Sequence, residues 1–267
     1  MHSRTSGDAA GRRNAVAAVL IDYGRELERD GAAQVGGSFT GNADADRLLA
    51  EEPNAFLIGT LFTQGIPAER AWSGPYLLKQ RLGSFSLEAL ADKSLVSAAV
   101  QTPPMLHRFK KTLPAWIVSA ARRLARDYDG NAARIWAPGS SVVEVVGRLS
   151  AFDGIGRKKA VMATEILMRH FGVELTGRER GSVAYDVHVR RVFLRSGLVD
   201  HDDRDAIEAA AASLCPASPG TLDLPAWLIG RDSCRPKTPS CDSCRLGDVC
   251  PRLVDRNVTG VGVRARS

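Results

Sequence analysis

Phe152-Asp153-Gly154-Ile155-Gly156-Arg157-Lys158-Lys159-Ala160 joins two stretches whose apolar residues recur at helical spacing, Ser141 to Leu149 before it and Arg157 to Phe171 after it. Its Gly-Ile-Gly centre lets the backbone turn tightly and presents N–H groups at the start of the second helix, where the helix dipole favours an anion. Taken alone, a Gly-x-Gly turn is more often a plain connection between helices. The rest of the chain decides between these readings.

Outward from the turn the helical period continues. Val16, Val19, Leu20, Tyr23 and Leu27 form one stripe between Asn14 and Asp30, and a glycine-rich loop, Gly31 to Gly41, comes next. Pro53 and Asn54, the latter read as an N-cap, open the apolar run Phe56 to Phe62, predicted to lie in the centre of the core. Beyond that run, Gly65, Pro67, Gly74, Pro75, Pro103, Pro104 and Pro114 divide the chain into short segments. Further helices are predicted at Trp116 to Arg126, Asp186 to Leu194, Asp203 to Leu214 and just before Cys234, and residues 174–182 read as a charged surface loop. No sustained alternation of apolar and polar residues bounded by hairpin turns occurs, so the predicted fold class is all-α.

The 267 residues, 44% hydrophobic and only 6% aromatic, supply core for one large or two small helical domains. A formal charge of +6 favours a polyanionic partner. No run approaches the length of a membrane-spanning segment and the polar start lacks a hydrophobic leader, so the expectation is a cytoplasmic, nucleoid-associated protein with no membrane partner.

Four of the five cysteines, Cys234, Cys241, Cys244 and Cys250, have the spacing C-x6-C-x2-C-x5-C. An intracellular setting disfavours disulfides, and four thiolates in one short loop hold a soft metal, zinc or iron–sulfur; spacing does not separate these two. Cys215, outside the pattern, is predicted to be a buried thiol at a helix end.

The nonapeptide resembles the Leu-Pro-Gly-Val-Gly-Arg-Lys hairpin signature of the endonuclease III-type DNA glycosylases, with Phe152-Asp153 in place of Leu-Pro. Ala184-Tyr185-Asp186-Val187-His188-Val189-Arg190-Arg191-Val192 resembles the family segment in which a carboxylate starts a helix and is followed by His and an Arg-Val pair. The cysteine spacing is similar to that of the four-iron four-sulfur loop in endonuclease III and the related adenine glycosylases. The likeness covers roughly residues 14 to 252.

The resemblance implies a two-domain, all-α, helix-hairpin-helix glycosylase fold. Residues 1–43 form an N-terminal tail and helix packing with the cluster domain, 44–173 a six-helix domain with the hairpin at about 144–171, 174–255 the iron–sulfur domain and 256–267 a basic tail. It implies a monomer acting on double-stranded DNA, a structural 4Fe–4S cluster on Cys234, Cys241, Cys244 and Cys250, and base excision by nucleotide flipping.

Lys158 takes the place of the attacking amine of the bifunctional members, and Asp186 that of the carboxylate that supports base departure. Without the resemblance, Lys158 is a phosphate contact and Asp186 an ordinary N-cap. Lys159 points about 100° away from Lys158 on the helix, so one of the two faces a pocket. Gly154, Ile155, Gly156, Arg157, Lys159, His188, Arg235 and Lys237 are expected against DNA. Gln64 is expected as the residue filling the gap left by the extruded nucleotide, or else as a helix end. Arg245 is a further candidate for phosphate. His107, Arg108, Lys110, Lys111, Arg122, Arg123 and Arg126 line the duplex or form a solvated face, and Arg252, Arg256, Arg264 and Arg266 form a mobile tail. The 28 residues from Lys158 to Asp186 exceed the ordinary family spacing, most of the excess being charged residues 174–182. A monofunctional glycosylase for a mismatched or modified base, and a non-catalytic DNA-binding cluster protein, are the alternatives.

Overall fold

The structure is a computed structural model that describes the backbone of residues 4–33 and 40–256 and the side chains of 10–30 and 40–256. Among these residues it is helical with no strand, and the one β-type pairing is an isolated bridge between Ser141 and Thr176. The helices are α1 (Arg4–Ala33), α2 (Ala43–Glu51), α3 (Pro53–Phe62), α4 (Ala68–Trp72), α5 (Gly74–Leu82), α6 (Leu87–Ala91), α7 (Lys93–Gln101), α8 (Thr112–Asp127), α9 (Val142–Ser150), α10 (Arg157–His170), α11 (Val187–Arg195), α12 (Arg204–Leu214) and α13 (Asp223–Asp232). They fall into two compact units, Asp30–Thr176 and Met1–Arg29 with Gly177–Ser267.

The Asp30–Thr176 unit is built around α3, buried at every position from Ala55 to Phe62. A helix that is apolar all round needs neighbours on every side. Phe56 meets Trp72 at 5.2 Å, Phe171 at 5.2 Å and Trp136 at 5.7 Å between ring centroids. Asn54 is not the N-cap. Glu52 takes that place, because Pro53 suits the first helical position, where no N–H partner is needed. Asn54 instead donates to Gly130 O at 2.9 Å and accepts from Ala132 N at 2.8 Å, tying α3 to the turn beyond α8. Pro114 does not interrupt α8 either: it lies in the first turn, which tolerates a missing N–H. Ser141 and Glu144 close a capping box at the start of α9.

In the other unit Val16 and Leu20 of α1 pack with Val189, Val192 and Phe193 of α11, Ile207 of α12 and Ala226 and Ile229 of α13. Helix α1 continues through Gly31 to Ala33, where the sequence predicts a loop, and residues 34–39 of that stretch lie outside the described ones. Residues 174–182 include a single 3-10 turn, Arg178–Arg180, and Arg178 pairs with Glu28 at 2.7 Å. Arg252 pairs with Asp242 at 3.0 Å and Arg256 with Asp200 at 3.4 Å, so this part of the basic tail is fastened by ion pairs, while Arg264 and Arg266 lie outside the described residues. Cys215 caps α12 and is half-buried, a shallower site than predicted. No helix among the described residues is long and apolar enough to cross a membrane.

Candidate functional site

The turn between α9 and α10 is held by one face of α8. Gly154 has φ +82°, and a Cβ there would overlap the Trp116 indole. Ser119 donates to the Asp153 carboxylate at 2.6 Å, and Arg123 donates to Ala151 O with its guanidinium 5.0 Å above the Phe152 ring. Phe152 also stacks on Tyr128 at 5.9 Å. Trp116, Ser119 and Arg123 recur at helical spacing, so a hairpin without proline is fastened by tertiary contacts instead. Ile155 is an internal anchor rather than a DNA contact: its side chain is buried and its N–H donates to Phe152 O at 3.0 Å. No side chain caps α10 at Gly156, and Gly156, Arg157 and Lys158 are exposed at its positive end.

The adjacent lysines have opposite fates. Lys158 is exposed, whereas Lys159 is 6% exposed and donates to Leu61 O at 3.0 Å, with its ammonium 5.5 Å from the Trp116 ring. Burial, and then the charge of Lys158, lowers the Lys159 pKa to about 8. Lys159 is therefore an internal strap, contrary to its expected place on DNA.

His107, counted with the basic surface, is 1% exposed. Phe109 N donates to its Nδ1 at 3.0 Å, which leaves Nε2 as the protonated nitrogen facing Phe62 O at 3.1 Å. Two consecutive carbonyls at the end of α3 are thus taken by Lys159 and His107. Gln64, exposed on the turn after α3, donates its own N–H to Phe62 O at 2.8 Å.

Burial holds the His107 pKa below its ordinary 6.5, against the opposing pull of the Phe62 carbonyl. Between the two values the unfolded chain carries a proton that the folded imidazole refuses, so stability is lost as pH falls below 6.5 and the loss is complete below the folded value. Urea midpoints of the wild type should therefore decline across pH 7.5 to 5 more steeply than those of His107→Gln, and parallel curves would contradict this account.

Asp186 is the N-cap of α11, accepting from His188 N at 2.9 Å, and is half-buried. The start of this helix is braced by groups that the sequence did not single out. Arg190 and Asp202 form a buried ion pair, Nε to Oδ1 at 2.8 Å; Tyr185 donates to the same Oδ1 at 3.0 Å, and the Arg190 guanidinium lies 4.4 Å over its ring. His188, expected on DNA, is half-buried with Nδ1 at 3.0 Å from Arg191 Nη2 and its ring against Trp227. Gly230 permits this packing of α13 on α11, since a Cβ would fall 2.6 Å from His188 O.

Helix α11 also holds the cysteine loop. Arg191 donates to Gly230 O at 2.6 Å and Cys234 O at 2.5 Å, and Arg195 to Arg235 O at 2.7 Å and Pro236 O at 2.9 Å. Cys234, Cys241, Cys244 and Cys250 line one cavity, together with Val192, Ile229 and Leu246. Among the described residues no three His, Cys, Asp or Glu side chains close on a single metal ion. Two backbone amides already point at sulfur, Leu246 N to Cys244 Sγ and Arg252 N to Cys250 Sγ, each at 3.4 Å. Burial raises the Cys244 and Cys250 thiol pKa values. Ser196 lines the same cavity, and its buried hydroxyl has no partner. Four thiols, sulfur-directed amides and an orphan hydroxyl together suit a polynuclear group with sulfur acceptors.

Arg235 and Lys237 are exposed beside this loop, Arg235 donating to Asp232 O at 3.0 Å. Arg245 is committed elsewhere: it grips Glu26 through two bonds, 2.8 and 3.0 Å, with its guanidinium 3.9 Å over Tyr23, fastening the loop to α1. Lys158 lies in the Asp30–Thr176 unit, and Asp186 with the cysteines in the other.

This helical architecture is the fold of the endonuclease III-type, helix-hairpin-helix DNA glycosylases. A solved thermostable thymine-DNA glycosylase matches with TM-score 0.61 and 13% identity over 92% of this chain and 99% of that one. A trapped Endonuclease III–DNA covalent intermediate matches with TM-score 0.53 and 20% identity over 77% of this chain and 86% of that one. In sequence the chain is homologous to Endonuclease III of Escherichia coli strain K12, 31% identical over 104 residues, which are 38% of this chain and 44% of that protein. The chain thus aligns with less than half the length of that curated relative. No family model matches the chain.

Proposed function

We propose that the protein is a base-excision DNA glycosylase that extrudes a damaged or modified nucleotide from duplex DNA, releases its base, and cleaves the resulting site by β-elimination. The observation that carries this reading is the homology to Endonuclease III together with an exposed Lys158 at the uncapped start of α10, while Lys159 is withdrawn into the core.

On this reading Gly156 and Arg157 hold backbone phosphate at the positive end of α10, and Gln64 fills the gap in the stack. The Lys158 amine, once it has given up a proton to solvent, adds to the sugar C1′ as the C1′–N bond breaks, and the base leaves with that electron pair and takes up a proton. The ionised Asp186, kept so by the start of α11, stabilises the positive charge on the sugar. Loss of one amine proton and opening of the sugar ring, in which the C1′–O4′ bond breaks and O4′ takes up a proton, gives an iminium ion; removal of a C2′ proton then forms the C2′–C3′ double bond and expels the 3′ phosphate.

Cys234, Cys241, Cys244 and Cys250 would hold one 4Fe–4S cluster, which would supply a rigid brace for residues 174–255 and so present Arg235 and Lys237 to phosphate. The four thiols lie around one shared cavity, and the likeness of their spacing to the endonuclease III cluster loop favours the cluster over a tetrahedral zinc. The protein would act as a monomer, wherever chromosomal DNA lies in the cytoplasm.

A panel of duplexes carrying single lesions, treated with borohydride and read with and without alkali, tests the proposal. Wild type should become covalently trapped on at least one lesion, and Lys158→Ala should lose trapping entirely with base release slowed about a hundredfold. Base release without trapping by the wild type would replace the lyase with a monofunctional enzyme; no release from any lesion would remove the glycosylase reading.

A further inference from the structure

Ser196 closes α11 directly after Arg195 and is 3% exposed. Its N–H donates to Val192 O at 2.9 Å, but its Oγ is buried with no hydrogen-bond partner. A hydroxyl in that condition destabilises the fold unless something accepts its proton. The residue lines the cavity shared by the four cysteines, where Val192, Ile229 and Leu246 are apolar, Arg195 and Arg252 are donors only, and the Ser233 hydroxyl makes no bond to it. The sulfurs of the four cysteines are acceptors that line the same cavity.

We infer that Ser196 donates its hydroxyl to a sulfur of the iron–sulfur group held by Cys234, Cys241, Cys244 and Cys250 and thereby sets its reduction potential. The inference rests on the cluster reading above and makes Ser196 a positioning and tuning residue, not a ligand. Hydrogen bonds to cluster sulfur withdraw electron density and favour the more negative, reduced state, so this bond raises the potential. It would add a side-chain donor to the amides of Leu246 and Arg252, already directed at Cys244 and Cys250.

The test uses the full chain purified without oxygen as wild type, Ser196→Ala, Ser196→Gly and Ser196→Thr. Iron and acid-labile sulfide are counted first, and the potential is then measured by film voltammetry. The expected result is equal iron and sulfide in all four. The potential should fall in Ala and Gly by the equivalent of roughly tenfold in the one-electron equilibrium, about 59 mV, and stay near wild type in Thr, which keeps the hydroxyl. Wild-type potential in either fully loaded variant without the hydroxyl overturns the inference. Absence of iron and sulfide from the wild type overturns the cluster reading itself, and the inference falls with it. Two hydroxyl-less variants are included so that poor loading of one leaves the other to decide.

Discussion

Asp186→Asn is expected to release base from a lesion-bearing duplex about a thousandfold more slowly than wild type in single turnover, while unfolding at the same urea concentration. The two halves of that result come from separate properties of one side chain. As an N-cap, Asp186 accepts from His188 N at 2.9 Å, and asparagine caps a helix about as well, so stability should change by less than about 0.5 kcal/mol. As a catalytic group it must carry a full negative charge where the sugar becomes cationic, and the amide carries none. The buried Arg190–Asp202 pair and Tyr185 brace the start of α11 in either case. Asp186→Ala would lose both properties, which is why Asn is the informative change. Full excision by Asp186→Asn would reduce Asp186 to a cap and leave base departure without its proposed support.

Gly154→Ala should cost the Asp30–Thr176 unit about 2–5 kcal/mol, read from urea unfolding, and weaken its hold on undamaged duplex DNA. A non-glycine residue at φ +82° costs about 1–2 kcal/mol, and forcing a methyl group into the indole of Trp116 about 1–3 kcal/mol more. The second part is removable. In the Gly154→Ala/Trp116→Leu double variant the methyl finds room, so the two losses should add to more than the double variant shows. A Gly154→Ala protein as stable as wild type would mean that α8 does not clamp the turn.

What could be read along the chain was what neighbours in sequence decide. The run from Pro53 to Phe62 announced a buried helix, the helical spacing from Ser141 to Leu149 announced α9, Asp186 was recognisable as a cap, and the cysteine spacing marked one loop. What escaped depends on partners far away. Helical period says that Lys158 and Lys159 diverge but not which one turns inward, and the answer lies in Leu61 O, 98 residues distant. His107 sits among cations and reads as surface until the end of α3, 45 residues earlier, is folded against it. Asp202 looks like an ordinary surface charge, and Arg245 like a cation for phosphate, because Arg190 and Glu26 are out of local view. Ser196 carried no signal at all, since an unsatisfied hydroxyl is visible only once the cavity around it exists.

The clasp of Arg245 on Glu26 and Tyr23 bridges 219 positions, and Arg13 reaches Gly197 O across 184. On the ribosome, therefore, α1 leaves the tunnel long before anything it packs against has been made. At about 5–20 residues per second, the intervening unit is translated over roughly ten to thirty seconds, and it can collapse on its own core during that delay. The partners that cover Val16 and Leu20, from Val189 to Leu246, are all made after that unit, so this stripe is buried only once the end of the chain has emerged.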